Sequence, residues 1–449
     1  MSSFPLDETG NELGKNGWFE QRIRVAANVK WENFTVRVSA DVLSGILGGD
    51  TSDVGARFVR NSQNKINTHN WFMPRRAMLA WRTDYGELRL GHQISNWGFG
   101  ILANNGEHKL EFGDQYLGDL VERIAFATSP IDNFFVAVGG DLVFRDSNAE
   151  LSEGDVGLNG FGSLFFRDKD SFAGAYVAHR YQWDRDGERL NVTAIDFHCL
   201  RNGTLFEKLD WEAGFEGLIL FGNTNRIRPE PGLGNADVLS GGAVLKGRLF
   251  HKRSRVSLSF ETGYASGDND RNDATVRNAT FHPDYRVGLI LFDQLLGGLT
   301  ANAADRLADS GHQAQAPHGT QHVPSNEGVT NALYFWPQLA YSPLDKLKLR
   351  VGLLWARSVA DVVDPYFSNT NAGGMNRNFF NGPANEHHLG TEVQISVRYH
   401  FDLLKCLKLY VGVEGARLFP GAAFSDANGR EMPTIDRIIG RVVLDWRPE

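Results

Sequence analysis

Arginine, lysine and the acidic residues recur at alternate positions along this chain, and that spacing is where its chemistry starts. Arg22 and Arg24, Lys246 and Arg248, and Lys348 and Arg350 stand two apart, and Arg437 and Arg441 four apart. In an extended strand such residues share one face. With Arg37, Arg76, Arg89, Arg123, Arg180, Arg255 and Arg398 they form a set of cations assigned by parity to a single face. The carboxylates Asp41, Glu87, Asp141, Asp196, Glu212, Glu216, Glu261, Glu392 and Glu414 fall on that same face. Guanidinium forks bind carboxylates bidentately, and rings of Arg and Lys at a constriction select anions. The plainer reading of any single arginine is a cross-strand pair with a facing acid that holds the wall together.

The elements that must carry these side chains are strands. Runs such as Phe34-Thr35-Val36-Arg37-Val38-Ser39 and Val393-Gln394-Ile395-Ser396-Val397-Arg398 alternate apolar and polar residues with period two. About 17 such strands are legible, the first near 17–30 and the last near 435–446. Short connections (31–33, 84–86, 130–132, 251–253, 343–345) alternate with long polar ones (43–70, 99–118, 223–235, 268–330, 360–386, 421–434). Short turns on one rim and long loops on the other are the layout of an outer-membrane barrel. Strands of ~9–11 residues suit a tilted membrane crossing. Trp31, Trp81, Tyr264, Tyr341, Trp355, Tyr399 and Trp446 near strand ends suit its aromatic girdles. The expectation is an all-β chain, one domain over 1–449: a transmembrane antiparallel up-and-down barrel with short periplasmic turns and long extracellular loops. First and last strands run in the same direction, so closure needs one more strand. That strand is expected before residue 10, either within Ser2–Glu8 or lost from the chain, giving 18 strands, with 16 as the fallback.

Composition narrows the classes. Of 449 residues, 42% are hydrophobic and 11% aromatic, which excludes disorder, and two cysteines, Cys199 and Cys406, give no disulfide framework. No apolar run reaches the ~18 residues of a membrane helix. The residues after Met1 show no apolar signal region, so the chain is read as a mature form from which a signal peptide has been removed. A net charge of −8 argues against nucleic acid as a partner. The long segment 268–330 has an apolar middle, Arg286 to Leu296, expected to fold into the barrel mouth, with a short helix within Asp293–Asp309. His92 and Ser95, beside Asn96 and Gly98, invite comparison with a membrane-embedded hydrolase, but positions 92 and 95 have opposite parity and leave opposite faces. Asp268 and Asp270 begin like a loose Ca2+ loop yet lack its glycine and terminal glutamate. No metal or other cofactor and no catalytic residue is assigned.

Several stretches resemble the alginate-export family of outer-membrane porins. They are Leu88-Arg89-Leu90-Gly91-His92-Gln93 with Trp97-Gly98-Phe99-Gly100, Phe281-His282-Pro283-Asp284-Tyr285-Arg286, and His388-Leu389-Gly390-Thr391-Glu392 with Gly412 and Pro420-Gly421. His92 stands where that family's pattern has arginine. The resemblance implies an 18-stranded barrel with a basic constriction that passes an acidic polysaccharide. The functional expectation is a bacterial outer-membrane channel, a non-enzyme, for passive diffusion of small or chain-like polar solutes of anionic or sugar-like character. Its partners would be outer-membrane lipid, lipopolysaccharide and that solute, with the barrel a monomer. The alternatives are a non-conducting adhesive or structural barrel whose loops bind a partner, and the hydrolase.

Overall fold

The computed structural model describes residues 17–49, 70–108, 110–114, 118–227, 234–271, 273–308, 319–320, 323–370 and 372–447. Its strands are β1 (Trp18–Trp31), β2 (Phe34–Gly49), β3 (Asn70–Thr83), β4 (Gly86–Ile94), β5 (Leu120–Ile131), β6 (Phe134–Arg145), β7 (Val156–Arg167), β8 (Ser171–Trp183), β9 (Arg189–Leu205), β10 (Leu209–Thr224), β11 (Ala236–His251) and β12 (Val256–Ala265). They continue with the two-residue β13 (Thr275–Val276), β14 (Ala332–Leu344), β15 (Leu347–Ser358), β16 (His388–Leu404), β17 (Leu407–Pro420) and β18 (Ile435–Trp446). All 18 belong to one sheet. Each long strand pairs antiparallel with the next, and β12 pairs directly with β14. The exception is β13, which lies parallel to β11 inside a loop. Short turns and long loops alternate as expected, so the chain is an up-and-down β-barrel with two unlike rims.

Seventeen strands are therefore long wall strands, and β1 and β18 run in the same direction. Among the described residues these two do not pair with each other. Antiparallel closure takes one further strand of opposite direction; the segment Ser2–Glu8 assigned to it lies outside the described residues.

The wall is inverted relative to a water-soluble domain. On β15, Val351, Leu353 and Trp355 are exposed on the outer face, while Arg350, Leu354 and Ala356 point inward and are buried. The same holds round the sheet, with Ile124, Val138, Leu164, Phe197, Leu239, Ile395 and Val413 all exposed outward. An apolar band outside and polar groups within is the pattern lipid imposes, because only a paired or closed backbone survives there. Trp31, Trp81, Tyr264, Tyr341, Trp355 and Trp446 are exposed, and Tyr399 is half-buried against Phe401 at 4.6 Å.

One local expectation changes. Arg255 does not line the inner face. It ends the turn after β11 at φ 56°, where strand parity no longer applies, and its Nη2 reaches Asp345 Oδ1 of a neighbouring turn at 2.7 Å. Cys199 lies within β9 on the exposed outer face, and both cysteines are free. Asp268 directs its oxygens at loop N–H groups, of Asp270 at 3.1 Å and Arg277 at 3.0 Å. No cluster of three or more metal-ligating side chains occurs among the described residues.

Candidate functional site

The inside of the wall is organised by its carboxylates. Glu216 accepts the backbone N–H groups of Phe99 and of Ile101 (3.3 Å) from the β4–β5 loop. Glu392 accepts three successive N–H groups from the β12–β14 loop, of Leu289 at 2.7 Å, Ile290 at 3.1 Å and Leu291 at 2.9 Å. Glu414 accepts from Gly113 N–H at 2.8 Å, and Asp196 from Trp97 Nε1–H at 3.0 Å. Glu261 takes the hydroxyls of Tyr285 (2.7 Å) and Tyr334 (2.6 Å) and the Lys246 ammonium at 3.1 Å. A buried carboxylate without partners is costly, and so is a buried loop N–H. Each satisfies the other, so two long loops are drawn into the barrel and held there.

Glycine permits the approach at two of these clamps. Gly98 (φ +54°) and Gly288 (φ +74°) adopt left-handed backbone. A Cβ on Gly98 would lie 2.6 Å from the Glu216 carboxylate, and one on Gly288 would lie 2.8 Å from Leu354 Cδ2 and 3.0 Å from Glu392 Oε2.

Beyond Gly288 the loop forms one π-helical turn, Leu291–Leu296, in which Leu295 N–H reaches Ile290 O at 2.9 Å. It then forms α1 (Gly297–Ala308). Ile290, Leu291, Phe292, Leu295 and Leu299 are buried among Phe281, Tyr334, Leu354, Leu389 and Leu418 in one apolar cluster. The helix predicted within Asp293–Asp309 is thus present, and the apolar stretch Arg286–Leu296 packs against the inner wall. Arg306 of α1 meets Asp364, ahead of the short helix α2 (Pro365–Thr370), at 2.7 Å. Burial raises the Asp364 carboxyl above its ordinary value against the pull of Arg306 and of the Phe367 and Tyr366 N–H groups.

The inward cations divide by their partners. Arg123 makes a bidentate pair with Asp141 (2.6 and 2.7 Å), and Arg24 with Asp41 (2.6 and 2.9 Å). Arg398 pairs with Glu414, Arg180 with Asp146, and Arg437 with Asp293. Arg89 meets Glu87 at 2.6 Å, and Arg248 meets Ser257 at 3.1 Å. Except for Arg89–Glu87, which lies within β4, these pairs tie strand to strand or wall to loop. Arg37 lies on the inner face by register, next to Met78 of β3 and Asn28 of β1, and is exposed.

A second group faces the β4–β5 loop where it runs along β15, β16, β18, β1 and β3. Glu107 reaches Arg76 at 2.8 Å, Arg24 at 3.7 Å and Arg75 at 3.9 Å. Glu111 contacts Arg350 and lies 3.6 Å from Lys348. Asp114 reaches Arg22 of β1 at 3.3 Å and Arg441 of β18 at 4.0 Å, across the seam. The loop's carbonyls join in: Asn105 O accepts from Arg75 at 2.8 Å, Leu110 O from Arg398 at 3.2 Å, and Gly113 O from Arg441 at 2.8 Å.

Arg75 escaped the parity assignment, which took only Arg76. Ser39 pairs with Arg76 and Ala40 with Pro74, so Arg75 is the extra residue of a bulge and turns inward as well. Pro74 is the readable signal, because proline inside a sheet marks an edge or a bulge. His92 and Ser95 do leave opposite faces. His92 Nδ1 meets Glu122 at 2.7 Å, whereas Ser95 Oγ accepts from Arg123 at 3.0 Å. They cannot act as base and nucleophile.

Solved structures share this wall. The chain is similar to the crystal structure of Acinetobacter baumannii OccAB1, at 10% identity over 94% of this chain and 90% of that one, with a TM-score of 0.50. The fold is that of a bacterial outer-membrane β-barrel. Pseudomonas aeruginosa OccK11 (OpdR) also aligns, at 10% identity over 96% of this chain and 88% of that one, TM-score 0.47. So does the outer membrane protein OprD from Pseudomonas aeruginosa, at 10% identity over 96% and 91%, TM-score 0.47. No family profile and no curated protein sequence matches the chain. The likeness thus extends to outer-membrane barrels as a class and does not single out the alginate-export family.

Proposed function

We propose that this protein is a passive outer-membrane channel for small polar solutes, with anions favoured. The observation that carries this is the inner wall: among the described residues, cations on β1, β3, β15, β16 and β18 outnumber the carboxylates paired with them. Arg22, Arg24, Arg75, Arg76, Lys348, Arg350, Arg398 and Arg441 meet Asp41, Glu107, Glu111, Asp114 and Glu414. A cationic excess inside a low-dielectric wall raises the local anion concentration. The inserted loops narrow the path and bring the solute against that row. The finer resemblance to alginate-export porins would make the solute a chain of acidic sugars; the row's length over several strands is compatible with such a chain.

The test is single-channel recording of the refolded chain in a planar bilayer under a KCl gradient. The expected result is stable steps with chloride preferred over potassium, and a lower preference in Arg37→Gln and Lys348→Gln. A folded barrel that never conducts would overturn the reading and favour the adhesive or structural alternative. One observation supports that second reading: the apolar cluster around Leu291 and Phe292 fills part of the lumen.

A further inference from the structure

Glu107, Glu111 and Asp114 follow one another at intervals of four and three residues, and each one bridges cations of the row. Glu107 joins Arg76 and Arg24, Glu111 joins Lys348 and Arg350, and Asp114 joins Arg22 and Arg441 across the seam. None of the three acids belongs to the wall; all sit on a loop that enters from the rim of long loops. Their side chains keep 30%, 42% and 58% of their surface open. This sets them apart from Asp41, Asp141, Glu392 and Glu414, which are buried in the wall. The Glu107–Arg76 and Asp114–Arg22 pairs are exposed, and pairs of that kind are worth only about 0–1 kcal/mol each. Glu111 is open on its own side although its partner Arg350 is buried, so all three acids can exchange with other anions, whereas the buried clamps do not.

We infer that Glu107, Glu111 and Asp114, the acids of this loop segment, are a tethered anion that occupies the arginine row of its own pore, so that a solute carboxylate enters by displacing them in turn. The inference rests on the channel reading. The segment is a specificity element: monovalent ions slip past it, while a multivalent anion must compete with three carboxylates already paired. The loop is fixed ahead of these acids by the Glu216 clamp on Phe99 and Ile101, and at Gly113 by the Glu414 clamp. Displacement therefore moves side chains along the row and leaves the loop's anchor points in place.

The experiment measures how citrate, used as a trivalent probe, blocks chloride current through single channels in planar bilayers. Wild type is compared with E107Q/E111Q/D114N and with E107D/E111D, each checked for folding by heat-modifiable migration on gels. Removing the tethered carboxylates should lower the half-blocking citrate concentration about tenfold, the factor that 1.4 kcal/mol of relieved competition would give. E107D/E111D keeps the wild-type charge but shortens both side chains by one methylene, and should move the same way by a smaller factor. A shift in the neutralised variant with none in E107D/E111D would overturn the inference, since the long-range field alone would then account for it. Unchanged block in both variants would also overturn it while leaving the channel reading intact. Absence of conductance in every form would overturn both.

Discussion

Glu392 shows what one side chain does in this wall. Its two oxygens collect three backbone N–H groups and the Gln394 amide. Replacing it with alanine orphans buried donors at a cost of roughly 1–3 kcal/mol for each group left without a partner. Hydrogen exchange over residues 286–300 should speed up in Glu392→Ala, with Glu392→Gln intermediate because its carbonyl still accepts. Single-channel current noise should rise in parallel; identical exchange in all three proteins would show that the apolar packing of Leu291 and Phe292 holds the loop unaided. Gly288→Ala tests the same clamp from the loop side. A left-handed backbone and contacts of 2.8–3.0 Å with Leu354 and Glu392 leave the new methyl no space, so the same peptide should lose protection.

The loops behave as elements with their own anchors, and the β6–β7 connection gives a pH test. Burial would raise the Asp146 carboxyl, but Arg180 and the N–H groups of Asn148 and Ala149 outweigh it and hold the group below its ordinary value. A depressed carboxyl contributes stability that is present above the unfolded value of about 3.9 and is lost as pH falls through the folded one. Proteolysis within 146–155 should therefore stay slow from neutral pH down to about 5, and accelerate only below about 4. Arg180→Ala removes the main opposing charge and should bring the onset to higher pH. An onset that does not move would detach Arg180 from the loop's order.

At the scale of the whole barrel, outer and inner faces obey different solvents. Ile395 is exposed midway along β16 on the outer face, and Ile395→Arg should cost about 2–4 kcal/mol in lipid, as expected at a bilayer midplane. Lys348→Gln on the inner face of the adjacent strand should leave stability nearly unchanged; equilibrium unfolding from vesicles compares the two. Much of this was legible in the sequence. Period-two alternation, nine-to-seventeen-residue strands and the short–long rhythm of connections identified the barrel and its two rims, because lipid and water impose opposite demands on alternate residues. Parity also put Arg24, Arg123, Lys246, Arg350, Arg398 and Arg441 on the inner face, since each sits in a regular stretch of its ladder. It failed at Arg75, where a bulge inserts a residue, and at Arg255, where a left-handed turn ends the ladder. It was silent on partners. Leu353-Leu354-Trp355-Ala356 is apolar on both faces because the β12–β14 loop packs against its inner side, and that run was the available hint of the insertion. Which carboxylates clamp loops and which arginines are met by Glu107, Glu111 and Asp114 was decided only by the tertiary structure. Those contacts join residues up to several hundred positions apart, as between Gly113 and Glu414, and local periodicity carries no information about which strand a returning loop will touch.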